Sequence, residues 1–267
     1  MQHGVIQADG RLYVDNSILA TEAVCQTHAS LRYGLGYDAP GVRVKMNVGT
    51  AIHAGMDVFF AGGSVPDVLA AFEKAYTAMG IGQAIAAMDE KQQKGLQAYT
   101  LANLKVIVGE YCTRNAMLPF EVDTTTIEQG FAVLLDREFN IWYTGTPDVG
   151  KVVMRGSGSV YTVDTKSTGS YLTAEYKRGY RTASQVTGYL WGLREVTGLP
   201  YVGAFINAIN IKKIPDSNRR CSDHGVQYSE CGLMHAEMEL FPVTRTPQQI
   251  EAWRVNAIAL ARRYRAR

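Results

Sequence analysis

Residues 145–166 have the sequence GTPDVGKVVMRGSGSVYTVDTK, which predicts two paired strands joined by a tight turn. The Gly/Ser run in its middle has the composition of a turn, and the segment after it alternates with the period of a strand. Side chains two positions apart on a strand point to the same face, so Asp164 and Lys166 should lie together. If the two strands pair through this turn, Asp148 on the first strand lies beside Asp164.

Two neighbouring carboxylates at this hairpin predict a bound cation. Carboxylates that lie close together repel each other, and the pKa of one rises unless a cation sits between them. Their hard oxygen ligands suit Mg²⁺ or Mn²⁺. The amine of Lys166 would then orient an attacking water or balance negative charge on a reacting phosphate. The alternative is an exposed strand face that carries a simple Lys–Asp ion pair.

The composition is that of a globular protein with a substantial core. The chain has 267 residues, and 46% of them are hydrophobic. No linker or internal repeat is visible, so a single domain over residues 1–267 is predicted. The formal net charge is only +2, so no overall field attracts a polyanion. A cluster of arginines near the C-terminus is interpreted as a helix end that the helix dipole stabilises.

The sequence gives no sign of a membrane or secreted protein. No apolar run approaches the length of a membrane span. Residues 1–11 lack the basic and apolar regions of a secretory signal. We therefore expect a cytoplasmic protein with no membrane partner.

The N-terminal part, residues 15–117, is predicted to be helical. Residues 1–14 before it are predicted to form a short arm or strand pair. Apolar periodicity and capping residues predict helices over residues 15–33, 49–60, 65–80 and 84–115.

The pattern changes to strands after Pro119. Strands are predicted over residues 125–135, 141–154, 160–166 and 201–211, with a helix over residues 182–196 before the last of them. This β-β-β-α-β order predicts an α/β (α+β mixed) fold with a central mixed sheet in residues 120–211. Residues 212–236 are predicted to be an insertion or lid, and residues 237–267 a final strand and helix.

The hairpin motif resembles that of a known nuclease superfamily. Pro147-Asp148, followed by Asp164-Thr165-Lys166, is similar to the PD-(D/E)XK motif. The resemblance implies a restriction-endonuclease-like core and a metal-dependent nuclease activity.

Two further motifs are similar to those of the RecB-like branch of this superfamily. Gly49 and His53 match its Gly-x-x-x-His motif, and Gln185 and Tyr189 match its Gln-x-x-x-Tyr helix. The three motifs follow one another in the order of that family. The resemblance implies an exonuclease of DNA recombination or repair, of the type found in phages and mobile elements. It implies DNA as the substrate, a single-strand annealing protein as a partner, and the cytoplasm of a bacterial or phage-infected cell as its location.

The resemblance also implies which residues hold the metal. His53, Asp148, Asp164 and the carbonyl of Thr165 would bind Mg²⁺ or Mn²⁺, and Lys166 would be the catalytic lysine. The alternative for His53 is a packed position, because its helix also carries an apolar face that could bury it.

Gln185 and Tyr189 are a second implied group. They lie four positions apart on one helix face, where they would contact DNA or orient the catalytic groups. The alternative is that both are ordinary surface residues. Glu128 is a weaker candidate for approaching the metal, since a strand glutamate that faces solvent would explain it equally well.

A basic and aromatic segment precedes the Gln-x-x-x-Tyr helix. Its residues Lys177, Arg178, Tyr180 and Arg181 could contact phosphates and stack on an unpaired base. This segment is therefore a candidate DNA channel, with a solvated charged surface as the alternative.

The cysteines leave three possibilities open. Some RecB-like nucleases hold an iron–sulfur cluster, and Cys25 stands where its N-terminal ligand would fall. Cys221 and Cys231 lack the Cys-x-x-Cys pair expected on the C-terminal side, so a cluster is disfavoured. These two cysteines with nearby histidines could hold zinc, although the spacing matches no common site. Unliganded thiols are the default in such a chain.

Two rival functions remain open. The first is a non-catalytic DNA-binding or scaffold subunit on the same fold, against which the acid–acid–lysine set argues. The second is a nuclease that acts on RNA.

Overall fold

The computed structural model describes residues 3–38, 41–212 and 236–266. Within these ranges the strands are, in chain order, β1 (Leu12–Val14), β2 (Phe120–Val122), β3 (Phe131–Asp136), β4 (Ile141–Gly145), β5 (Val149–Met154), β6 (Val160–Thr168), β7 (Gly203–Asn210) and β8 (Met238–Thr244). They form a five-stranded sheet in the order β2-β5-β6-β7-β8 and a three-stranded sheet in the order β1-β4-β3.

The helices are α1 (Asn16–Val24), α2 (Gln26–Ala29), α3 (Val44–Phe60), α4 (Val65–Ala78), α5 (Ile81–Ala86), α6 (Glu90–Gly95), α7 (Leu101–Arg114), α8 (Ala174–Gly179), α9 (Ser184–Thr197) and α10 (Pro247–Arg265). Further single helical turns lie at Ser30–Gly34, Gln97–Tyr99, Thr124–Thr126 and Tyr180–Thr182. None of the helices in the described ranges combines the length and apolar character that crossing a bilayer would require.

The predicted fold class is confirmed. The helices α1–α7 precede a mixed sheet in which β2, β5 and β6 come first, α9 follows, and β7 is then added. The predicted β-β-β-α-β order holds along the chain, but the first predicted strand, residues 125–135, belongs to the three-stranded sheet, and β2, which was not predicted, takes its place in the five-stranded sheet. Only β6 and β7 are parallel within the sheet, because the crossover through α8 and α9 returns the chain in the same direction.

The predicted strand over residues 141–154 is wrong in one respect. It is two strands, β4 and β5, that belong to different sheets. The chain leaves the three-stranded sheet at Thr146-Pro147-Asp148, where Pro147 has no N–H to offer a strand ladder. Asp148 therefore comes just before β5 and not within a strand.

Other predicted boundaries also need correction. The strand predicted over residues 125–135 is β3, which begins only at Phe131. The long helix predicted over residues 84–115 is interrupted, because Asp89 and Gln92 form a capping box that starts α6 afresh. The helix predicted over residues 15–33 breaks at Cys25, whose backbone is extended. Most of the predicted insertion, residues 213–235, lies outside the described ranges.

The five-stranded sheet separates two apolar cores. On one face α3, α4 and α7 pack against the sheet, and on the other face α1, α9, α10 and the small sheet do so. Strand β7 is buried throughout and shows the two faces in its sequence. Phe205 and Ile209 join the first core, whereas Ala204, Ile206 and Ala208 join the second.

Candidate active site

Two buried carboxylates lie side by side, one just before β5 and one within β6. Strands β5 and β6 pair antiparallel with Val149 opposite Val163, so Asp148 and Asp164 lie next to each other at the start of β5. Asp148 is 5% exposed and Asp164 is 2% exposed. The backbone N–H of Thr165 donates to Oδ2 of Asp148 and fixes that carboxylate against β6. The Oγ1 of Thr165 accepts a hydrogen bond from Asn207 on β7 at 3.2 Å.

Lys166 is held in a chain of hydrogen bonds that leads away from Asp164. Its Nζ donates to Oδ1 of Asp164 at 3.0 Å and to Oε1 of Gln185 at 3.0 Å. The amide of Gln185 in turn donates to the hydroxyl of Tyr189 at 2.9 Å. That hydroxyl donates to the carbonyl of Thr146 at 3.1 Å, just before the Asp148 loop. One hydrogen-bond network thus joins the Asp-x-Lys motif of β6 to the Gln-x-x-x-Tyr motif of α9.

Helix α3 brings His53 to the same place. Its Nδ1 lies 3.1 Å from Oδ1 of Asp148. Burial lowers the pKa of His53, but the hydrogen bond and the negative charge of Asp148 outweigh burial and raise it overall. The helix can approach β6 closely because Gly49 has no side chain: a Cβ there would lie 3.1 Å from Oγ of Ser167. In the Gly-x-x-x-His motif, Gly49 therefore allows the close approach of α3 to β6, and His53 contacts Asp148.

Glu128 reaches the same cleft from an unusual backbone position. Its φ is +51°, in the left-handed region, and its N–H donates to the carbonyl of Asp148 at 3.0 Å. Its side chain is exposed at the rim of the cleft. Desolvation in the cleft, followed by the charges of Asp57 and Asp148, raises the pKa of Glu128 to about 7.

Asp57 is a residue of this site that the sequence analysis did not single out. It lies on α3 one turn after His53, and its Oδ1 is buried without a hydrogen-bond partner among the described residues. Desolvation and the charge of Asp148 raise its pKa to about 6. The signal that could have found it is its spacing, because residues i and i+4 share a helix face.

The residues present fit a divalent cation. One ligand atom each from His53, Glu128 and Asp148 can be chosen so that all lie within 4.8 Å of one another. Oδ2 of Asp164 is buried and accepts no well-oriented hydrogen bond within the described chain, although the Lys166 ammonium lies 2.9 Å away. Burial, reinforced by Asp148, raises the pKa of Asp164 despite Lys166. Carboxylate oxygens with one imidazole nitrogen are suitable ligands for a divalent metal ion.

These side chains line an open cleft of about 400 Å³. Its walls come from α3, the Glu128 loop, the Thr146–Asp148 loop, β6 and the first turns of α9. The lining residues are Met46, Gly49, Thr50, His53, Glu128, Thr146, Asp148, Asp164, Lys166, Gln185 and Tyr189. The cleft joins residues from both halves of the chain.

The predicted DNA-channel residues lie at a different cavity. Lys177, Arg178 and Arg181 line a groove of about 850 Å³ beside β8. Lys177 pairs with Glu239 at 2.8 Å, whereas Arg178 and Arg181 are exposed. Tyr180 is less available for stacking, because its ring packs edge-on against Phe241 and its hydroxyl bonds to that of Tyr176 at 3.0 Å.

The predicted cysteine ligands are not brought together in the described chain. Cys25 is exposed between α1 and α2. Cys221 and Cys231 lie outside the described residues.

Comparison with known proteins adds a structural likeness. No protein family matches the chain, and no curated protein matches it. The fold is similar to the crystal structure of a candidate exonuclease from Eubacterium rectale, with a TM-score of 0.54. The two sequences are 12% identical, and the match covers 97% of this chain and 83% of the other. At this identity the likeness establishes a common fold.

Proposed function

We propose that this protein is a metal-dependent phosphodiester hydrolase that acts on DNA as an exonuclease. The observation that carries the proposal is the convergence of Asp148, Asp164, Lys166 and His53 in one open cleft. Clustered acids next to a lysine serve no purpose in a protein that only binds phosphates, because the acids would repel the ligand. The fold shared with a candidate exonuclease supports the same conclusion.

The cation would be held by His53, Glu128, Asp148 and Asp164, with the carbonyl of Thr165 as a further ligand. Mg²⁺ and Mn²⁺ are the ions proposed. When bound, such an ion acts as a Lewis acid that polarises the phosphodiester and favours ionisation of water.

The chain's own groups would orient the substrate. An ammonium group has three donors, and two of those of Lys166 are directed at Asp164 and Gln185. The third remains for a phosphate oxygen or the attacking water. Because Gln185 and Tyr189 fix that ammonium, they are proposed as positioning residues. The exposed guanidinium groups of Arg178 and Arg181 would contact the phosphates of the DNA outside the cleft.

The remaining expectations belong to the same proposal. Residues 1–267 would act as one nuclease domain of the PD-(D/E)XK, RecB-like type, in DNA recombination or repair. A single-strand annealing protein would be its partner.

A degradation assay tests this proposal. The protein is incubated with linear duplex DNA, single-stranded DNA, closed circular DNA or RNA, with Mn²⁺ or Mg²⁺ and with or without chelator. We expect loss of linear DNA, survival of circular DNA, and inhibition by chelator. Asp164→Asn should slow the reaction by roughly two orders of magnitude or more. The matched control is Asp9→Asn, at an exposed acid that lines no part of the cleft.

Each contrary result has a distinct meaning. If wild-type protein degrades none of the substrates, the scaffold alternative is favoured. If RNA alone is degraded, the substrate class is wrong. If Asp164→Asn is as active as wild type, the site assignment is wrong.

A further inference from the structure

A second cavity opens directly beside the catalytic cleft. It has a volume of about 510 Å³ and lies within the range of small-ligand sites, roughly 300 to 1,000 Å³. Thr146, Gln185 and Tyr189 line both this cavity and the cleft, so the two spaces meet at the hydrogen-bond network that holds Lys166. A nucleic-acid strand with one phosphate in the cleft would place a neighbouring nucleoside in this second cavity.

The charges of this cavity disfavour a phosphate. No lysine or arginine is among the described residues that line it. Asp15 is the one carboxylate among the described lining residues, and its negative charge would repel an anion. The groove at Arg178 and Arg181 is lined by basic side chains and would instead attract an anion. The occupant of the second cavity should therefore be an uncharged part of the substrate.

The walls of the cavity suit a flat, polar ring. Phe131 and Tyr189 contribute aromatic rings that meet edge-on, and Gly145 allows both rings to lie close to the backbone of β4. Ala132 lines the same cavity. Oδ1 of Asn16 is buried at this wall and has no hydrogen-bond partner among the described residues. A side-chain amide has donors and an acceptor, which match the edge of a nucleobase.

We propose that this cavity is the subsite for one unpaired nucleobase next to the phosphodiester in the catalytic cleft. A base that enters a concave pocket must leave its stack and its partner, so the substrate would reach the cleft as a frayed or single-stranded end. This inference rests on the proposed function and specifies its substrate.

Binding in the presence of chelator tests the subsite apart from catalysis. Fluorescence anisotropy compares a short single-stranded oligodeoxynucleotide with the same strand made of abasic residues. Wild type should bind the natural strand about 5- to 150-fold more tightly, the effect of one stacked base. Ala132→Tyr, which fills the cavity, should abolish this preference, and Asn16→Ala should reduce it. The control Ala70→Tyr places the same side chain on an exposed site of α4 and should behave as wild type.

The contrary outcomes separate the two proposals. If Ala132→Tyr keeps its preference for the natural strand while thermal melting shows it folded, the subsite is wrong. Hydrolysis of bis(p-nitrophenyl) phosphate with Mn²⁺, a substrate without a base, tests the chemistry alone. If wild type fails that assay but shows the binding preference, the subsite stands and the hydrolytic function fails.

Discussion

Lys166 shows how a single residue depends on several elements. Its ammonium is directed by Asp164 on its own strand and by Gln185 on α9. Gln185 is itself fixed by Tyr189. Removing Gln185 would leave the ammonium free to turn toward Asp164 alone, and a displacement of about 1 Å near a reacting group can lower a rate by roughly a hundredfold.

We therefore predict that Gln185→Ala lowers kcat for DNA by roughly ten- to a hundredfold and changes KM little. Steady-state kinetics on a linear substrate would measure both constants. The matched control is Gln83→Ala, at an exposed glutamine on α5. A rise in KM with unchanged kcat would instead assign Gln185 to substrate binding.

Replacing Glu128 should affect the stability of the fold and the binding of metal in different directions. Its left-handed backbone is unfavourable for a residue with a Cβ, by roughly 1–2 kcal/mol, and glycine removes this cost while adding flexibility to the unfolded chain. Glu128→Gly should leave the free energy of unfolding unchanged or raise it by up to about 1 kcal/mol. The loss of the carboxylate should weaken Mn²⁺ binding by roughly tenfold or more.

Urea unfolding and calorimetric titration with Mn²⁺ measure these two effects. Asn140→Gly is the control, because Asn140 also has a left-handed backbone, with φ of +49°, and lies outside the cleft. Its Mn²⁺ affinity should equal that of wild type. Unchanged affinity in Glu128→Gly would remove Glu128 from the ligand set.

At the scale of elements, two glycines of α9 determine how closely this helix packs on the small sheet. A Cβ at Gly192 would overlap the ring of Phe131, and a Cβ at Gly188 would overlap the hydroxyl of Tyr143. The helix carries Gln185 and Tyr189, so its distance from β3 and β4 also places the network around Lys166. The packing of one helix thus determines part of the site.

Gly192→Ala should lower the free energy of unfolding by about 1–3 kcal/mol, because the added methyl forces Phe131 to move. Gly109→Ala in α7 is the matched control, since a Cβ there meets nothing within 4 Å. In that helix alanine should be neutral or stabilise by up to about 1 kcal/mol. Urea denaturation of both variants would test the contrast, and equal effects would show that Phe131 does not limit the packing.

At the scale of the whole molecule, helix α10 contacts parts of the chain that are distant in sequence. Arg262 forms an ion pair with Asp136 at the end of β3, and Arg263 forms one with the buried Glu22 of α1. Arg265 donates to the carbonyl of Gly10. The interpretation of these arginines as a helix end that the helix dipole stabilises is therefore incomplete, because each contacts a segment more than a hundred positions away.

The Asp136 pair predicts a pH dependence of stability. Burial raises the pKa of Asp136, but Arg262 outweighs burial and lowers it overall. A lowered folded-state pKa means that the carboxylate stabilises the fold above the unfolded pKa of about 4, and that this contribution is lost as pH falls through the folded pKa. Asp136→Asn should thus cost about 1–3 kcal/mol at neutral pH and less in acid.

Urea denaturation of wild type and Asp136→Asn, from neutral pH to below the unfolded pKa, measures the difference in their free energies of unfolding. Glu138→Gln is the control, since Glu138 pairs with the same arginine but its side chain is 67% exposed. An exposed pair should contribute less than about 1 kcal/mol. A constant difference between wild type and Asp136→Asn from neutral pH to acid would contradict the assignment.

The sequence by itself determined the hairpin of β5 and β6, because alternation and a Gly/Ser turn are local signals. The order of strands and helix was also predictable, and with it the mixed α/β fold. Only the tertiary structure decided that residues 141–154 divide between two sheets, since a strand's partners are not encoded in its own alternation. It alone brought Asp57 to Asp148, placed Glu128 there from a turn and not from a strand, and formed the cavity at Asn16, because those contacts join segments whose local patterns are independent of one another.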